Sequence, residues 1–269
     1  MKYVLVTGAF GGMGRAVVKE LVGQGYGVFA LDKKVEEGID NVIPIQVDLT
    51  DENSVKSAFE QVKEKTDSLY AILHFAGMYI LDSLVEMSEE QFVKAFNVNV
   101  FACYRVNKCF LPLLKSGSRI IITTSELAPL APLPFTGLYA ITKSALDKYA
   151  YSLNMELQLL GISVSVLRPG AVKTDMLGVS TTALEKFCFN TALYKCNAER
   201  FKKIVDSVEA KNVTPEKIAV KTIKILKKKK PNHVYKINRN KLLLLLNLLP
   251  KRLQLKIIKL ILKNKNQSN

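Results

Sequence analysis

A tyrosine and a lysine stand four positions apart in the run YAITK, as Tyr139 and Lys143. On a helix, residues at positions i and i+4 share a face, so the ammonium group lies one turn beyond the phenol. A phenol with a pKa near 10 is a poor base at neutral pH, and a nearby cation favours its phenolate form. The pair therefore predicts a proton-transferring group whose pKa the lysine lowers. The same spacing also arises by chance in many helices, so the rest of the chain must decide between the two interpretations.

A glycine-rich turn near the start of the chain has the composition of a phosphate-binding loop. The segment VTGAFGGMG places Gly8, Gly12 and Gly14 between a β-branched run and an amphipathic segment. Glycines allow a tight turn and the close approach of a pyrophosphate, and the following helix N-terminus offers free N–H groups. This context predicts a dinucleotide site, which includes the intervening Phe10 and Met13.

An acidic residue follows the glycine turn at the distance expected for a ribose contact. Asp32 ends the next β-branched run, where its carboxylate can accept hydrogen bonds from both ribose hydroxyls. The same carboxylate repels a 2′-phosphate, and the turn has Gly11 where a basic residue would neutralise one. We therefore expect NAD in preference to NADP. Lys33 and Lys34 come next, either as solvated turn residues or as groups that reach a phosphate.

Strands and helices alternate along the chain in the way needed to position these groups. Short apolar, β-branched runs predict strands within 2–8, 26–32, 41–49, 69–77, 118–125, 161–170 and 233–237. Helical periodicity predicts helices between them, including 13–25, 51–65, 88–114 and 138–160. Alternation of this kind implies right-handed crossovers. We predict a doubly wound α/β fold, with a parallel seven-stranded sheet and helices on both faces.

Further landmarks follow in order along the chain. They are VDL ending at Leu49, the Ala76-Gly77 pair, FNVNVF (96–101), IITTSELA (121–128) and RPGAVKT (168–174). Together with TGAFGGMG and YAITK, they resemble the short-chain dehydrogenase/reductase family from Lys2 to Thr174. The resemblance implies a Rossmann-type NAD-binding catalytic domain over 1–240. It also implies an oxidoreductase that interconverts a secondary alcohol and a ketone, or an alcohol and an aldehyde.

The resemblance assigns catalytic roles to four residues. Tyr139 exchanges a proton with the substrate oxygen while hydride passes to or from the nicotinamide, and Ser125 holds that oxygen. Lys143, together with the positive nicotinamide of the oxidised cofactor, lowers the pKa of Tyr139, and it also grips the nicotinamide ribose. Asn99 joins a water relay that reaches Lys143.

Two of these assignments have neighbouring alternatives. Ser125 lies fourteen residues before Tyr139, one more than the commonest spacing, so Thr124 remains an alternative serine equivalent. Asn97 is likewise an alternative to Asn99.

The resemblance also extends the cofactor site beyond the glycine turn. The implied contacts are Asp48, Leu49, Ala76, Gly77, Tyr139, Lys143, Pro169, Gly170, Val172 and Thr174. Two residues depart from the family pattern, since His74 and Phe75 replace a pair of asparagines before Ala76-Gly77. We interpret His74 as a packed structural histidine rather than a catalytic one, and we expect the network around the central strand to be rebuilt or missing.

Residues 175–212 have the length of a lid over a substrate pocket, and we call this segment the lid. Its apolar and aromatic side chains are Met176, Leu177, Leu184, Phe187, Phe189, Leu193, Tyr194 and Phe201. An apolar lid favours a hydrophobic substrate such as a steroid, bile acid, retinoid or lipid. The alternative is that these side chains pack the lid's own helices.

The positive charge of the chain is concentrated at its end. The total is 39 Lys and Arg against 24 Asp and Glu, a net charge of +15, and no acidic residue follows Glu216. Residues 241–269, here called the tail, combine a leucine run with Arg252, Lys256, Lys259 and Lys263 on one helical face. Asn247 and Pro250 divide it into two short amphipathic helices. This pattern favours binding to an anionic membrane surface through 241–263, with packing on the lid or an oligomer interface as alternatives.

The remaining composition limits the partners. The four cysteines and two histidines show no metal-ligand spacing, so we expect no metal. Aromatic residues are absent after Tyr235, which argues against nucleic acid. We expect a cytoplasmic homo-oligomer that attaches peripherally to membranes and takes a hydrophobic small molecule. Alternative functions are an NADPH-dependent ketolipid reductase and a catalytically silent NAD-binding scaffold recruited to membranes.

Overall fold

One parallel sheet organises the fold. The computed structural model describes residues 1–209 and 211–263, and it describes their side chains except at 175–182, 196 and 206–209. Within these residues the strands are β1 (Tyr3–Thr7), β2 (Gly27–Asp32), β3 (Val42–Gln46), β4 (Leu69–His74), β5 (Leu114–Thr123), β6 (Ser163–Pro169) and β7 (Val234–Ile237). They lie in the order β3-β2-β1-β4-β5-β6-β7, and every pairing is parallel. The predicted doubly wound fold is therefore confirmed.

Helices cover both faces of the sheet. They are α1 (Gly12–Gly23), α2 (Glu52–Lys63), α3 (Glu89–Phe96), α4 (Ala102–Phe110), α5 (Gly137–Leu157), α6 (Asp175–Asn190), α7 (Lys195–Glu209), α8 (Pro215–Leu226), α9 (Lys241–Leu248) and α10 (Lys251–Leu262). Leu5 and Phe29 belong to the core beneath α2, α4 and α5, whereas Val4 and Val28 belong to the core beneath α1 and α8. Strands buried on both faces explain why the strand sequences are apolar throughout rather than alternating.

The predicted helix over 88–114 is interrupted in the structure. A π-helical turn over Asn97–Phe101 separates α3 from α4, a 3-10 turn follows at Leu111–Leu113, and β5 already begins at Leu114. Sequence periodicity did not reveal the π turn, because the segment has no glycine and its only proline, Pro112, comes after the turn. Turns of this kind add a residue to one helical turn and occur frequently at functional sites.

The strand order reverses between β1 and β4, which are neighbours although they are not consecutive in the chain. In open parallel sheets, ligands bind outside the carboxyl ends of the strands at such a reversal. The glycine turn follows β1, residues 75–79 follow β4, and Ser125 follows β5. The fold thus places most of the residues selected from the sequence at one edge of the sheet.

The lid and the tail are both helical. The lid contains α6 and α7, and the tail contains α9 and α10, separated at Pro250 as the sequence predicts. Met176, Leu177 and residues 264–269, which also belong to these predictions, lie outside the described side chains or residues. Among the helices in the described part of the chain, none is long and apolar enough to cross a membrane.

Candidate active site

The glycine turn forms a cradle in which side chains have no room. Gly8 has a φ of +66°, and a Cβ on Gly14 would lie 2.0 Å from the carbonyl oxygen of Gly8. A Cβ on Gly12 would lie 2.7 Å from the side chain of Thr174. Because these positions exclude a Cβ, backbone N–H groups remain exposed at the start of α1, as a bound pyrophosphate requires.

Asp32 closes the cradle on the side where an adenine ribose would lie. Its Oδ2 accepts from the N–H of Phe10 at 3.0 Å, and its Oδ1 accepts from the N–H of Lys33 at 2.7 Å. Each carboxylate oxygen keeps acceptor capacity for a hydroxyl group. A cavity of about 440 Å³ extends from the three glycines past Asp32. These features fit a dinucleotide cofactor.

Two residues predicted to contact the cofactor are not among those that line this cavity. Phe10 acts through its backbone hydrogen bond to Asp32. Asp48 pairs with Lys33 Nζ at 3.0 Å and accepts two hydrogen bonds from Thr50, at 2.8 and 2.6 Å. Partial burial raises the pKa of Asp48, but the hydrogen bonds from Thr50 and Lys33 outweigh it and set the pKa to about 2. The neighbouring Leu49 does line the cavity.

The cofactor cavity continues into a second cavity of about 210 Å³. Met13, Gly77 and Thr174 line both cavities, and Ala76 lines the first. The predicted contacts Pro169, Gly170 and Val172 line the second cavity together with Ser125, Tyr139 and Lys143. The structure thus brings the residues selected from distant motifs to one continuous cleft.

Ser125 and Tyr139 meet in the second cavity. Ser125 follows β5 and is 6% exposed, and its hydroxyl forms a hydrogen bond with Tyr139. Tyr139 lies in the first turn of α5 and packs its ring against Tyr79, with 4.9 Å between ring centroids. A hydroxyl and a phenol that share a hydrogen bond in an apolar cavity can hold one substrate oxygen between them.

Lys143 lies beneath this pair, one turn further along α5. Its Nζ is 5.7 Å from the centroid of the Tyr139 ring and donates to the carbonyl oxygen of Thr123 at 3.2 Å. Gly77 packs closely here, because a Cβ on Gly77 would lie 3.4 Å from Lys143 Nζ and 3.3 Å from Asn99 Oδ1. Lys143 and Asn99 therefore approach the same point behind the cofactor cavity.

Asn99 is buried in the π turn and holds the chain after β4. Its Oδ1 accepts from the N–H of Met78 at 2.8 Å, and its Nδ2 donates to Met78 O and Thr142 Oγ1, both at 3.0 Å. Both amide donors are thereby used, while Oδ1 retains acceptor capacity. Asn99 lies behind the cavity wall, where it fixes Met78 beside Gly77.

The two alternatives from the sequence have other partners. Thr124 is 2% exposed and directs its hydroxyl to Asp147 Oδ1 at 3.3 Å, and that carboxylate also pairs with Arg168. Asn97 accepts from Arg105 at 3.3 Å. Neither contact involves Tyr139 or Lys143, so the geometry favours Ser125 and Asn99.

Burial dominates the pKa values of the central pair. Burial raises the pKa of Tyr139 to about 12, and the hydrogen bond with Ser125 lowers it by less. Burial also lowers the pKa of Lys143 to about 8. The residues of the chain therefore do not by themselves lower the pKa of Tyr139, because desolvation of the phenolate outweighs the hydrogen bond with Ser125.

His74 occupies the core rather than the cleft, as interpreted from the sequence. It is 4% exposed; its Nε2 lies 2.8 Å from Asn107 Oδ1, and its Nδ1 lies 3.5 Å from Thr7 Oγ1. Asn107 also donates to the Tyr149 hydroxyl at 3.1 Å. Burial lowers the pKa of His74 to about 4, so the ring is neutral near pH 7. This network joins β1 and β4 to α4 and α5.

Apolar side chains from the lid complete the second cavity. Phe201, Ile204 and Val205 of α7 line it, whereas Leu184 and Phe187 of α6 are buried between the lid helices. Lid side chains therefore both line the second cavity and pack the lid's own helices, and Phe201 does both. Phe189 and Leu193 remain exposed at 85% and 66%.

Several residues of the cleft were not found from the sequence. Met78 and Tyr79 line both cavities directly after Gly77, a position that could have suggested them. Glu126 is a buried carboxylate beside Ser125, and burial raises its pKa. Leu243 reaches the second cavity from the tail, and no local signal marks that contact.

Phe135 was also missed, although it organises the lid. It has a φ of +64°, a conformation that is strained for a bulky residue. Its ring packs against Phe187, Tyr194 and Phe201, with centroid separations of 4.6, 5.3 and 5.3 Å. The loop that leads to Tyr139 is thus joined to both lid helices.

Comparison with known proteins agrees with this geometry. A family model described as short chain dehydrogenase matches residues 2–185. A 3-ketodihydrosphingosine reductase of Bacteroides thetaiotaomicron is 28% identical over 229 residues, which cover 85% of this chain and 84% of that protein. Estradiol 17-beta-dehydrogenase 2 of Mus musculus is 35% identical over 191 residues, which cover 66% of this chain but only half, 50%, of that protein.

Solved structures show the same relationship. The crystal structure of a short chain dehydrogenase family protein from Francisella tularensis superposes with a TM-score of 0.74 at 25% identity, covering 88% of this chain and 97% of that one. The chain belongs to the short-chain dehydrogenase family and is an oxidoreductase that uses a nicotinamide cofactor.

Proposed function

We propose that this enzyme interconverts a secondary alcohol and a ketone on a hydrophobic substrate, with NAD(H) as its preferred cofactor. The observation that carries the proposal is the second cavity, in which Ser125, Tyr139 and Lys143 face apolar side chains from the lid and the tail. The relatives named above are a ketodihydrosphingosine reductase and an estradiol dehydrogenase, whose named substrates are hydrophobic molecules. A steroid, bile acid, retinoid or lipid fits this cavity better than a sugar does.

Each polar residue of the cleft has a distinct role in this proposal. Tyr139 gives its proton to the carbonyl oxygen during reduction, or takes the proton from the alcohol during oxidation. Ser125 holds the same oxygen and stabilises the charge that develops on it. Lys143, protonated below its pKa of about 8, stabilises the phenolate form of Tyr139.

The glycine cradle, Asp32, Ala76, Gly77 and Thr174 would hold the cofactor. When bound, the nicotinamide group would supply or accept the hydride, and its oxidised form would also supply a positive charge. Such a charge would favour the phenolate form of Tyr139, whereas burial raises the pKa of Tyr139 to about 12. Apolar lid side chains exclude water from the cavity while the proton moves.

Asp32 supports NAD rather than NADP, since its carboxylate would repel a 2′-phosphate. An NADPH-dependent ketolipid reductase is the second candidate. It is favoured by the position of Lys33, which lines the cofactor cavity beside Asp32. Lys33 is already paired with Asp48 at 3.0 Å, which reduces its availability to a phosphate. Titration of both reduced cofactors into wild type and Asp32→Ala distinguishes these candidates. We expect NADH to bind more tightly to wild type, and we expect the alanine variant to lose this preference.

Catalysis is tested with Tyr139→Phe, assayed with both cofactors on a panel of steroids, bile acids, retinoids and long-chain ketones. General acid catalysis contributes about 10²–10⁴ to the rate, so kcat should fall by a factor in that range. Tyr79→Phe is the matched control, because it removes a hydroxyl from the same cavity and should reduce kcat far less. Equal activity of wild type and Tyr139→Phe on every accepted substrate would contradict the assignment.

Exposed apolar side chains on α4 and α5 support a homo-oligomer as part of the proposal. Tyr104 on α4 and Ile141, Tyr151 and Met155 on α5 are 45%, 37%, 54% and 47% exposed. We expect light scattering to give a mass above that of one chain and Tyr151→Glu to lower it. A monomeric wild type would contradict this expectation.

A further inference from the structure

The first tail helix, α9, separates the second cavity, from here on called the substrate cavity, from the surface. Leu243 lines the same cavity as Tyr139 and Ser125. On the opposite face, Leu242, Leu245 and Leu248 are 71%, 60% and 80% exposed, at positions three apart along the helix. One helix therefore contacts the substrate cavity on its inner face and presents an apolar strip on its outer face.

Hydrogen bonds fasten α9 to the loop that carries Ser125. The N–H of Asn240 donates to Glu126 Oε2 at 2.7 Å, next to Ser125, and the N–H of Ala131 donates to Asn247 Oδ1 at 2.7 Å. Asn240 also caps α9 by accepting from the N–H groups of Leu242 and Leu243. The position of α9 is thus fixed relative to the catalytic loop.

The second tail helix, α10, divides its residues between the lid and the surface. Gln254 and Leu262 are buried, and Ile258 packs against the apolar cluster formed by the lid helices. Asn197 of α7 donates to the carbonyl oxygen of Leu262 at 2.7 Å. The packing alternative from the sequence therefore accounts for one face of α10. A second face remains apolar and exposed, since Leu260 is 76% exposed, with Leu253 and Ile261 at 43% and 50%.

A cationic stripe runs between these two faces of α10. At 100° per residue, Arg252, Lys256, Lys259 and Lys263 fall within one narrow sector, next to Leu253 and Leu260. The described part of the tail, 241–263, contains no acidic residue. An exposed apolar strip beside a purely cationic one complements the surface of an anionic lipid bilayer, with its apolar interior and negative headgroups.

We propose that the outer faces of α9 and α10 bind the surface of an anionic lipid bilayer, and that α9 is the wall between that bilayer and the substrate cavity. A membrane-dissolved ketone or alcohol then reaches Tyr139 past Leu243 without passing through bulk water. The surface is therefore part of substrate delivery as well as an attachment site. The delivery step rests on the function proposed above, whereas membrane binding does not.

Membrane binding is tested by flotation of the full chain with phosphatidylcholine vesicles and with vesicles that also contain phosphatidylserine. The wild type should float with the anionic vesicles, and less at about 1 M salt than at about 0.1 M. Leu242→Glu combined with Leu245→Glu, and separately Lys256→Glu combined with Lys259→Glu, should each weaken binding at least about tenfold. Leu159→Glu is the matched control, since this leucine is 83% exposed and lies outside the tail, in the 3-10 turn Gln158–Leu160 that follows α5.

Three flotation results would overturn membrane binding. They are a wild type that stays in solution, outer-face variants that float as well as wild type, and a Leu159→Glu variant that loses as much binding as they do. Light scattering adds a fourth such result. If the Leu242 and Leu245 variant changes the mass of the particle while wild type binds no vesicle, the strip is an interface between copies of this chain.

Substrate delivery is tested with one long-chain ketone in anionic vesicles and one short, water-soluble ketone. The variant that combines Leu242→Glu and Leu245→Glu should lose turnover of the vesicle-borne ketone and retain turnover of the soluble one. Leu243→Ala should change the dependence of KM on chain length while floating as wild type does. Equal loss on both ketones would refute delivery through α9. If no ketone is reduced by any variant, the proposed function fails while the flotation result still stands.

Discussion

Acid should destabilise this protein through His74, a residue that takes no part in catalysis. The ring is buried among Thr7, Asn107 and the central strands, and burial lowers its pKa from 6.5 to about 4. Between these two pH values the unfolded chain binds a proton on His74 and the folded chain does not. The stability associated with the neutral ring is therefore present above pH 6.5 and is lost as the pH falls toward 4.

The size of this loss follows from the pKa difference. A difference of 2.5 pH units, from 6.5 to about 4, corresponds to about 3.4 kcal/mol in the free energy of unfolding. Proton linkage puts about 2 kcal/mol of it between pH 7 and pH 5. His74→Asn removes the titrating ring and keeps an amide that can bond to Asn107. The variant should therefore lose about 2 kcal/mol less than wild type over this interval.

The measurement is urea unfolding followed by circular dichroism at pH 7 and pH 5. Each protein is compared with itself at two pH values, so any constant cost of the smaller side chain cancels. His233→Asn, made at the only other histidine of the sequence, keeps His74 and should keep the wild-type loss. Parallel pH profiles for wild type and His74→Asn would show that His74 is not buried as a neutral ring.

Three further predictions concern the cleft. Ser125→Ala should lower kcat by a factor of about 10² or more. Thr124→Val should instead mainly lower the melting temperature, because it removes the hydrogen bond to Asp147. If kinetics and calorimetry gave the reverse pattern, Thr124 would hold the catalytic role assigned to Ser125. NADH should bind more weakly as the pH rises through about 8, where Lys143 loses its charge, and titration calorimetry of Lys143→Met should show no such dependence. Gly12→Val should raise the Kd for NADH at least about tenfold, because the valine side chain would enter the cavity beside Thr174. The circular dichroism spectrum should stay native. Unchanged affinity for NADH would contradict the proposed cradle.

The parts of the site that could be predicted from the sequence are those whose signal is local. The glycine turn needs residues without a Cβ at fixed offsets, and Asp32 follows at the end of the next strand. Ser125 and Tyr139 lie at the end of β5 and the start of α5, so the strand–helix order already brings them to the same edge of the sheet. Local spacing and sheet topology were sufficient for these residues.

Contacts between distant segments were not predictable in the same way. Leu243 lies more than a hundred residues beyond Tyr139, and only the packing of the tail on the catalytic loop brings it into the cavity. The pKa of Tyr139 depends on burial by residues from several elements, and helical spacing to Lys143 carries no information about that burial. Phe135 adopts a positive φ that its residue type disfavours, and only its ring contacts with the lid account for it.

The π turn at Asn97–Phe101 has a consequence for the lengths that this segment tolerates. The wider π turn absorbs one extra residue, so deleting one residue there would restore a regular α-helix while α3 and α4 stay in phase. The narrower turn would take the amide of Asn99 away from Met78 and Thr142. Substitutions in this turn change one contact at a time, whereas a single-residue deletion removes the geometry that holds Asn99 and leaves the packing of both helices in place. Natural variation among relatives that keep this geometry should therefore appear here as exchanges of residue type and not as changes of length.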